Sequence, residues 1–227
     1  MMNGNPNITE MASLLADPSR AEILTCLLDG RFHTASELAS IAKVKPQTAS
    51  FHLAKLSKIH LIKMEKHGRF HYYQLANQEV AQMLESFLVI SPPAEIKSLK
   101  QDSQTRALRK ARTCYDHIAG NLGVRLTESM VHSGILSKEQ GQFEVTEKGE
   151  QFFGDLGLDL PSIRKKRRSF SRCCLDWSER QHHLAGSLGS ALATHFFEKQ
   201  WITHIPYTRA VSITSTGRFY FKKYFNI

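Results

Sequence analysis

Two short amphipathic segments set a few residues apart, 35–42 and 46–57, constrain this chain more than any other feature. The stretch VKPQTASFHLAKLS (44–57) predicts a helix starting at Pro46, a residue that suits a first helical position because its missing N–H costs little there. At about 100° per residue, Ala49, Leu53 and Leu56 fall together as a narrow core face, and Gln47, Ser50, Phe51, Lys55 and Lys58 fall opposite. Thr48 and His52 lie at the edges of that outer face, His52 nearer the core. An amide, a hydroxyl, an aromatic ring and lysines on one exposed face suit a major-groove reader. Gln pairs with adenine edges, Phe touches a thymine methyl and Lys meets phosphate. A plainly solvated helix is the other reading of this segment by itself, and its neighbours decide between the two.

Residues 8–16 predict a short amphipathic helix, interrupted at Asp17-Pro18-Ser19. A second helix over 18–29 carries Ala21, Ile23, Leu24, Leu27 and Leu28 at helical spacing, with Cys26 as a small core residue. Gly30 suits a helix stop. Thr34 or Ser36 can cap a third helix over ASELASIA, with Leu38 and Ile41 inward. The third and fourth helices then have helix-turn-helix spacing. Next comes LIKMEKHGRFHYYQLA, a hairpin turning at Gly68, whose tip gathers Lys63, Lys66, His67, Arg69 and His71 against the single acid Glu65. A basic hairpin after a helix-turn-helix is a wing that lies on the phosphate backbone, through Lys66, Arg69 and His71 together with Lys45, Lys55 and Lys58 from the helix. Residues 78–90 are apolar along one side through Val80, Met83, Leu84, Phe87 and Leu88, a helix that packs on the first helix or on a second subunit.

Taken in order, LADPSRAEILTCLLDG, ASELA, QTASFHLAKL and GRFHYYQL resemble the ArsR family of winged-helix repressors over residues 8–90. The resemblance implies a homodimer on a two-fold-symmetric operator, one recognition helix per half-site, with DNA released when an inducer binds. It does not bring the family's metal sites with it. The segment HTASELASIA lacks the paired cysteines of the metal-sensing branch, and 77–90 lacks the carboxylate-and-histidine site of other members. Any inducer is therefore sensed elsewhere.

Ser91-Pro92-Pro93 marks a boundary, giving a DNA-binding domain over 1–90, a linker over 91–104 and a C-terminal domain over 105–227. That domain repeats itself. RTCYDHIAGNLG (112–123) and RCCLDWSERQHHLAGSLG (172–189) share Arg-x-Cys-x-Asp and His-(Ile/Leu)-Ala-Gly-x-Leu-Gly, with six extra residues in the second copy. VTEKGEQFF (145–153) matches ITSTGRFYF (213–221). Order and spacing argue for a duplication, with repeats over about 105–160 and 165–227. Each copy reads as helix, helix, short strand, a turn at Gly149 or Gly217, then an aromatic segment, like a degenerate winged helix. The fold class expected is mainly α with small β wings: an N-terminal winged helix-turn-helix, then a mostly helical duplicated domain. Gly120 and Gly123, with their counterparts Gly186 and Gly189, predict a close helix–helix approach between the copies, since glycine costs about 1 kcal/mol inside a helix.

Chemistry concentrates at equivalent repeat positions. Cys114 and Cys174 correspond, as do His117 and His183, and facing copies would bring all four together. On a helix, Cys114 and His117 share a face one turn apart. Thiolates and imidazoles suit a thiophilic metal or metalloid ion. Cys173 and Cys174 with Cys114 would make a three-thiolate arsenite-type site or a redox switch, and plain core packing is the remaining reading. The seam would alternatively hold an apolar small molecule, walled by Trp177, Tyr115 and Phe170. The run IRKKRRSFSR (163–172) holds six basic residues and no acid; it is solvated surface or an added phosphate contact.

The formal net charge of +9 favours a polyanionic partner. No stretch is long and apolar enough for a signal peptide or a membrane span, so the chain is expected in the cytoplasm, and four cysteines make no disulfide framework. No nucleophile–base pair and no glycine-rich phosphate loop points to an enzyme. The expectation is a sequence-specific, dimeric transcription regulator, a ligand-, metal- or redox-responsive repressor on double-stranded operator DNA. The alternative is a constitutive or architectural DNA binder whose C-terminal domain only dimerises or adds contacts.

Overall fold

A computed structural model describes residues 7–96 and 98–227. Residues 1–6, at the start of the expected DNA-binding domain, and Lys97, in the expected linker, lie outside the described residues. The chain divides into two compact units, one ending at Ser86 and the other spanning Phe87–Ile227.

The first unit opens with α1 (Ile8–Leu15) and α2 (Pro18–Leu27). Asp17 caps α2 by accepting the Arg20 N–H at 2.9 Å, with Pro18 in the first turn. Then come β1 (His33–Thr34), α3 (Ala35–Ile41) and α4 (Pro46–Lys58). Thr34 and Glu37 form a reciprocal capping box at the start of α3, satisfying two otherwise orphaned N–H groups. The hairpin β2 (Ile62–His67) and β3 (Phe70–Leu75) turns at Gly68, whose φ is +60°. With β1 it makes a sheet in the order β1-β3-β2, all antiparallel. Ile23, Leu24, Leu27, Leu38, Leu53, Leu56 and Leu75 are almost wholly buried, so α2, α3 and α4 close on one core against the sheet. The predicted elements, their caps and the wing turn are all present. Helix α5 (Gln78–Ile90) crosses from the first unit into the second.

In the second unit, α6 (Leu99–Lys110) already begins inside the expected linker, capped by Ser98. One order of elements then appears twice. The first set is β4 (Arg112–Cys114), β5 (His117–Ala119), α7 (Gly120–His132), β6 (Leu136–Glu139), β7 (Gln142–Val145) and α8 (Glu147–Asp155). After α9 (Leu160–Arg164) the second set is β8 (Arg172–Leu175), β9 (His182–Ala185), α10 (Gly186–Glu198), β10 (Ile202–His204), β11 (Val211–Ile213) and α11 (Ser215–Phe225). Each copy is therefore hairpin, helix, hairpin, helix, not the helix, helix, strand, turn expected. Leu122, Leu126, Phe153, Leu188, Phe196 and Phe221 belong to one core built from both copies.

Two glycine readings are corrected. Gly149 and Gly217 lie in the first turns of α8 and α11 and donate their N–H groups to the capping hydroxyls of Thr146 and Thr214, at 3.0 and 2.9 Å. Gly123 and Gly189 do serve a close approach, but of each helix to its own hairpin. A Cβ there would lie 2.4 Å from the Ile118 carbonyl oxygen and 2.5 Å from that of Leu184. On the far side it would face His183 and His117 of the other copy, at 3.6 and 3.3 Å.

Candidate DNA-reading face and a buried cysteine–histidine centre

Helix α4 presents the face expected of it. Ala49, Leu53 and Leu56 are at most 1% exposed, while Lys45, Gln47, Thr48, Ser50, Phe51, Lys55 and Lys58 are exposed. The Lys55 ammonium lies 4.3 Å above the Phe51 ring, which keeps an apolar group of this size at the surface under a cation. The Ser50 hydroxyl donates to the Pro46 carbonyl at 3.0 Å, so its oxygen stays available as an acceptor. Lys66, Arg69 and His71 are exposed at the wing, and Glu65 draws Lys63 and His67 to itself at 3.5 and 3.7 Å.

His52 does not belong to this face. It is 6% exposed, with Nδ1 3.4 Å from Arg20 and Nε2 3.9 Å from Asp17. Arg20, itself 8% exposed, also donates to the Leu14 and Ser13 carbonyls at 2.8 and 3.0 Å. A single guanidinium thus ties the end of α1 to α4 through His52, a positioning role that a helical wheel places at the edge but cannot assign.

The second concentration of chemistry lies where β5 packs beside β9. Cys114 pairs with His117 across the hairpin β4–β5, and Cys174 with His183 across β8–β9. The helical turn expected between Cys114 and His117 is in fact a two-residue hairpin loop, Tyr115-Asp116, with Tyr115 at φ +60°. The four side chains still converge. The two Sγ atoms are 3.8 Å apart, the two Nε2 atoms 3.1 Å apart, and all four ligand atoms lie within 4.8 Å of one another. Cys114, His117 and His183 are at most 4% exposed, and Cys174 is half-buried, on the accessible side.

Carboxylates stand behind both imidazoles. Asp116 lies 3.3 Å from Nδ1 of His117 and is paired with Arg168. Asp176 lies 3.4 Å from Nδ1 of His183. It accepts from Arg112 at 2.9 Å, from the Gly120 N–H at 2.7 Å and from Ser178. Burial pushes the Asp116 carboxyl up, but His117 and Arg168 outweigh it and hold the group at about 2. The hydrogen bond from Cys114 leads in lowering the Cys174 thiol; burial opposes it, and His117 and His183 assist. Burial pulls His117 down, but Asp116 and Cys174 more than offset this. Both directions favour a thiolate at Cys174 beside a protonated His117.

Other expectations for this region are corrected. Cys173 alternates to the opposite side of β8 from Cys174, pairs with Leu184 and packs on the core, so no three-thiolate set exists among the described residues. The space between the repeats beside Gly123 and Gly189 is about 20 Å³, room for a water, whereas a cavity of about 350 Å³ opens between α7 of the first copy and β11 and α11 of the second, lined by Leu122, Arg125, Ile213 and Phe221. Trp177 lies under the Arg112 guanidinium at 4.4 Å, and Phe170 under that of Arg164 at 4.0 Å. Most of the basic run is solvated surface as expected, with Arg164, Lys165, Lys166 and Arg167 exposed, but Arg168 is half-buried against Asp116. In the first unit, Cys26, Asp29 and His33 also converge. There burial pushes the Cys26 thiol up to about 12, and Asp29 is taken by Arg31 at 2.7 Å and His33 at 2.9 Å, so this group is a buried ion-pair network.

A helix-turn-helix with a basic wing and an exposed amide-and-lysine face defines a DNA-binding transcription regulator. A family model described as a helix-turn-helix domain matches residues 15–65. An uncharacterized HTH-type transcriptional regulator, YdfF of Bacillus subtilis, is 52% identical over 223 residues, 98% of this chain and 99% of its own length. The chain belongs to this family of HTH-type transcriptional regulators. The HTH-type transcriptional regulator KmtR of Mycobacterium tuberculosis is 32% identical over 77 residues, 34% of this chain and 58% of KmtR. Among solved structures, the cadmium metal-sensor CMTR from Mycobacterium tuberculosis is 28% identical, covering 40% of this chain and 93% of its own, with a TM-score of 0.33.

Proposed function

We propose that the chain is a homodimeric repressor that reads a two-fold-symmetric operator with α4 and the wing, and that the duplicated unit is its effector-responsive module. The observation that carries this reading is the α4 face: Gln47, Ser50 and Phe51 exposed between the exposed lysines Lys45, Lys55 and Lys58. Gln47, Ser50 and Phe51 read bases, with Thr48 at the edge; Lys45, Lys55, Lys58, Lys66, Arg69 and His71 hold phosphates. The dimer is supported by α5, which leaves Phe87 48% and Ile90 78% exposed, apolar surface that a second copy would cover.

Binding to the chain's own upstream DNA tests the assignment. Gln47→Ala should cost about 1–3 kcal/mol on the preferred sequence and flatten preference at one base position, whereas Lys66→Ala should weaken all sequences alike and reduce the salt slope by about 1. Equal effects of the two changes on every sequence would overturn the residue assignment.

A further inference from the structure

We propose that Cys114, His117, Cys174 and His183 bind one divalent transition-metal ion of the zinc class, tetrahedrally, across the seam between the two repeats. This names the effector of the module proposed above, and only its regulatory consequence rests on that reading. An ion about 2.3 Å from two sulfurs at tetrahedral angles sets them about 3.8 Å apart, and one about 2.0–2.1 Å from two nitrogens sets those about 3.3–3.4 Å apart. The observed separations are 3.8 Å and 3.1 Å, within a few tenths of an ångström of those values, and all four donor atoms lie within 4.8 Å of one another.

The surroundings select the ion. Two thiolates with two neutral imidazoles carry two negative charges, which a divalent cation cancels, and the adjoining carboxylates are already neutralised by Arg112 and Arg168. A buried centre that balances to zero avoids the cost of an unpaired interior charge. Hard ions such as magnesium and calcium want oxygen donors, and no carboxylate joins the ligand set. Both histidines turn Nε2 inward and Nδ1 toward an aspartate; at His117 the carboxylate is in hydrogen-bond contact, the outer-shell arrangement that fixes a metal-bound imidazole in one tautomer and orientation, and at His183 it lies 3.4 Å away. Cys174, half-buried, gives the ion its way in. Each repeat supplies one sulfur and one nitrogen, so occupancy would add a further link between the copies to the Arg112–Asp176 pair and the Gly120 N–H bond to Asp176.

The test uses the full chain, reduced, stripped with chelator and titrated with Co(II). The expected result is saturation at one ion per chain, with the strong visible d–d absorption of tetrahedral cobalt and a near-ultraviolet thiolate charge-transfer band, both bleached by Zn(II). Cys114→Ser and His183→Ala should lose the spectrum, Cys173→Ser should keep it, and Asp116→Asn should weaken binding about 10–100-fold. Far-ultraviolet circular dichroism checks that each variant is folded. If either ligand variant is not, the wild type, Cys173→Ser and Asp116→Asn decide. A folded wild type without the tetrahedral spectrum, an unchanged spectrum in folded Cys114→Ser, or its loss in folded Cys173→Ser would overturn the site. None of these readouts involves DNA. A chain that takes up Co(II) but ignores its own upstream sequence would refute the repressor reading and leave the metal site standing.

Discussion

Asp176→Asn, in the metal-free chain, lowers the thermal midpoint of the C-terminal unit by roughly 10–20 °C. Arg112 and the Asp176 carboxylate have no solvent exposure at all, and Asp176 is the charge that balances Arg112 while also accepting from the Gly120 backbone across the repeat boundary. The asparagine keeps the shape and removes the charge. Breaking a buried pair from one side costs about 3–5 kcal/mol, because the remaining ion is left uncompensated. In a unit of this size each kcal/mol moves the midpoint by about 2–4 °C or somewhat more. The equivalent change, Asp116→Asn, is the internal control. Asp116 and Arg168 remain 23% and 21% exposed, so water screens the loss and the cost falls to the order of 1 kcal/mol. Differential scanning calorimetry on both variants measures the contrast. Similar small shifts would mean that Arg112 finds another partner and that the pair does not anchor the repeats.

Gly217→Ala destabilises by at least about 2–3 kcal/mol, although alanine is the better helix former by about 1 kcal/mol. A Cβ at Gly217 would lie 1.9 Å from the Trp201 carbonyl oxygen and 2.7 Å from its carbon, both backbone atoms that cannot swing aside. The first turn of α11 has to move off the backbone at Trp201, just before β10. Gly154→Ala reverses the sign. Gly154 lies in α8 with nothing within 4 Å of an added Cβ, so this change gains up to about 1 kcal/mol. Denaturant titrations of the two variants give the answer, and a stabilised Gly217→Ala would show that the close approach in this region is misplaced.

These glycines also show where the sequence is legible and where it is not. In the first ninety residues local signals agree with one another. Asp17-Pro18, the Thr34–Glu37 box, Pro46 and Gly68 each mark an end or a turn, and the helical spacing between them needs no tertiary information. In the second unit the same letters are ambiguous. Thr-x-x-Gly reads as a turn, but the threonine caps a helix and the glycine makes room for a carbonyl. Cys-x-x-His spans one helical turn and also a two-residue hairpin, so the pairing of Cys114 with His117 could be anticipated although its backbone could not. The repeat carried the rest: equivalence of Cys114 with Cys174 and of His117 with His183 is visible in the chain, and two facing hairpins realise it. Arg20 and Arg112 gave no such signal. Each looks like a surface residue until tertiary contacts supply His52 to the one and Asp176 to the other, and His52 is drawn inward with its partner.

The most direct test of the reading as a whole is a DNA-binding titration of the purified, reduced chain against its own upstream region. It is run once metal-free and once with Zn(II) shown to occupy the Cys114–His117–Cys174–His183 centre. An effector module coupled to α4 predicts affinities that differ between the two states by about 5–150-fold, the usual span of a coupling free energy. Tight, sequence-specific binding of equal strength in both states would contradict it and leave the duplicated unit as a dimerisation or contact-adding domain on a constitutive DNA binder.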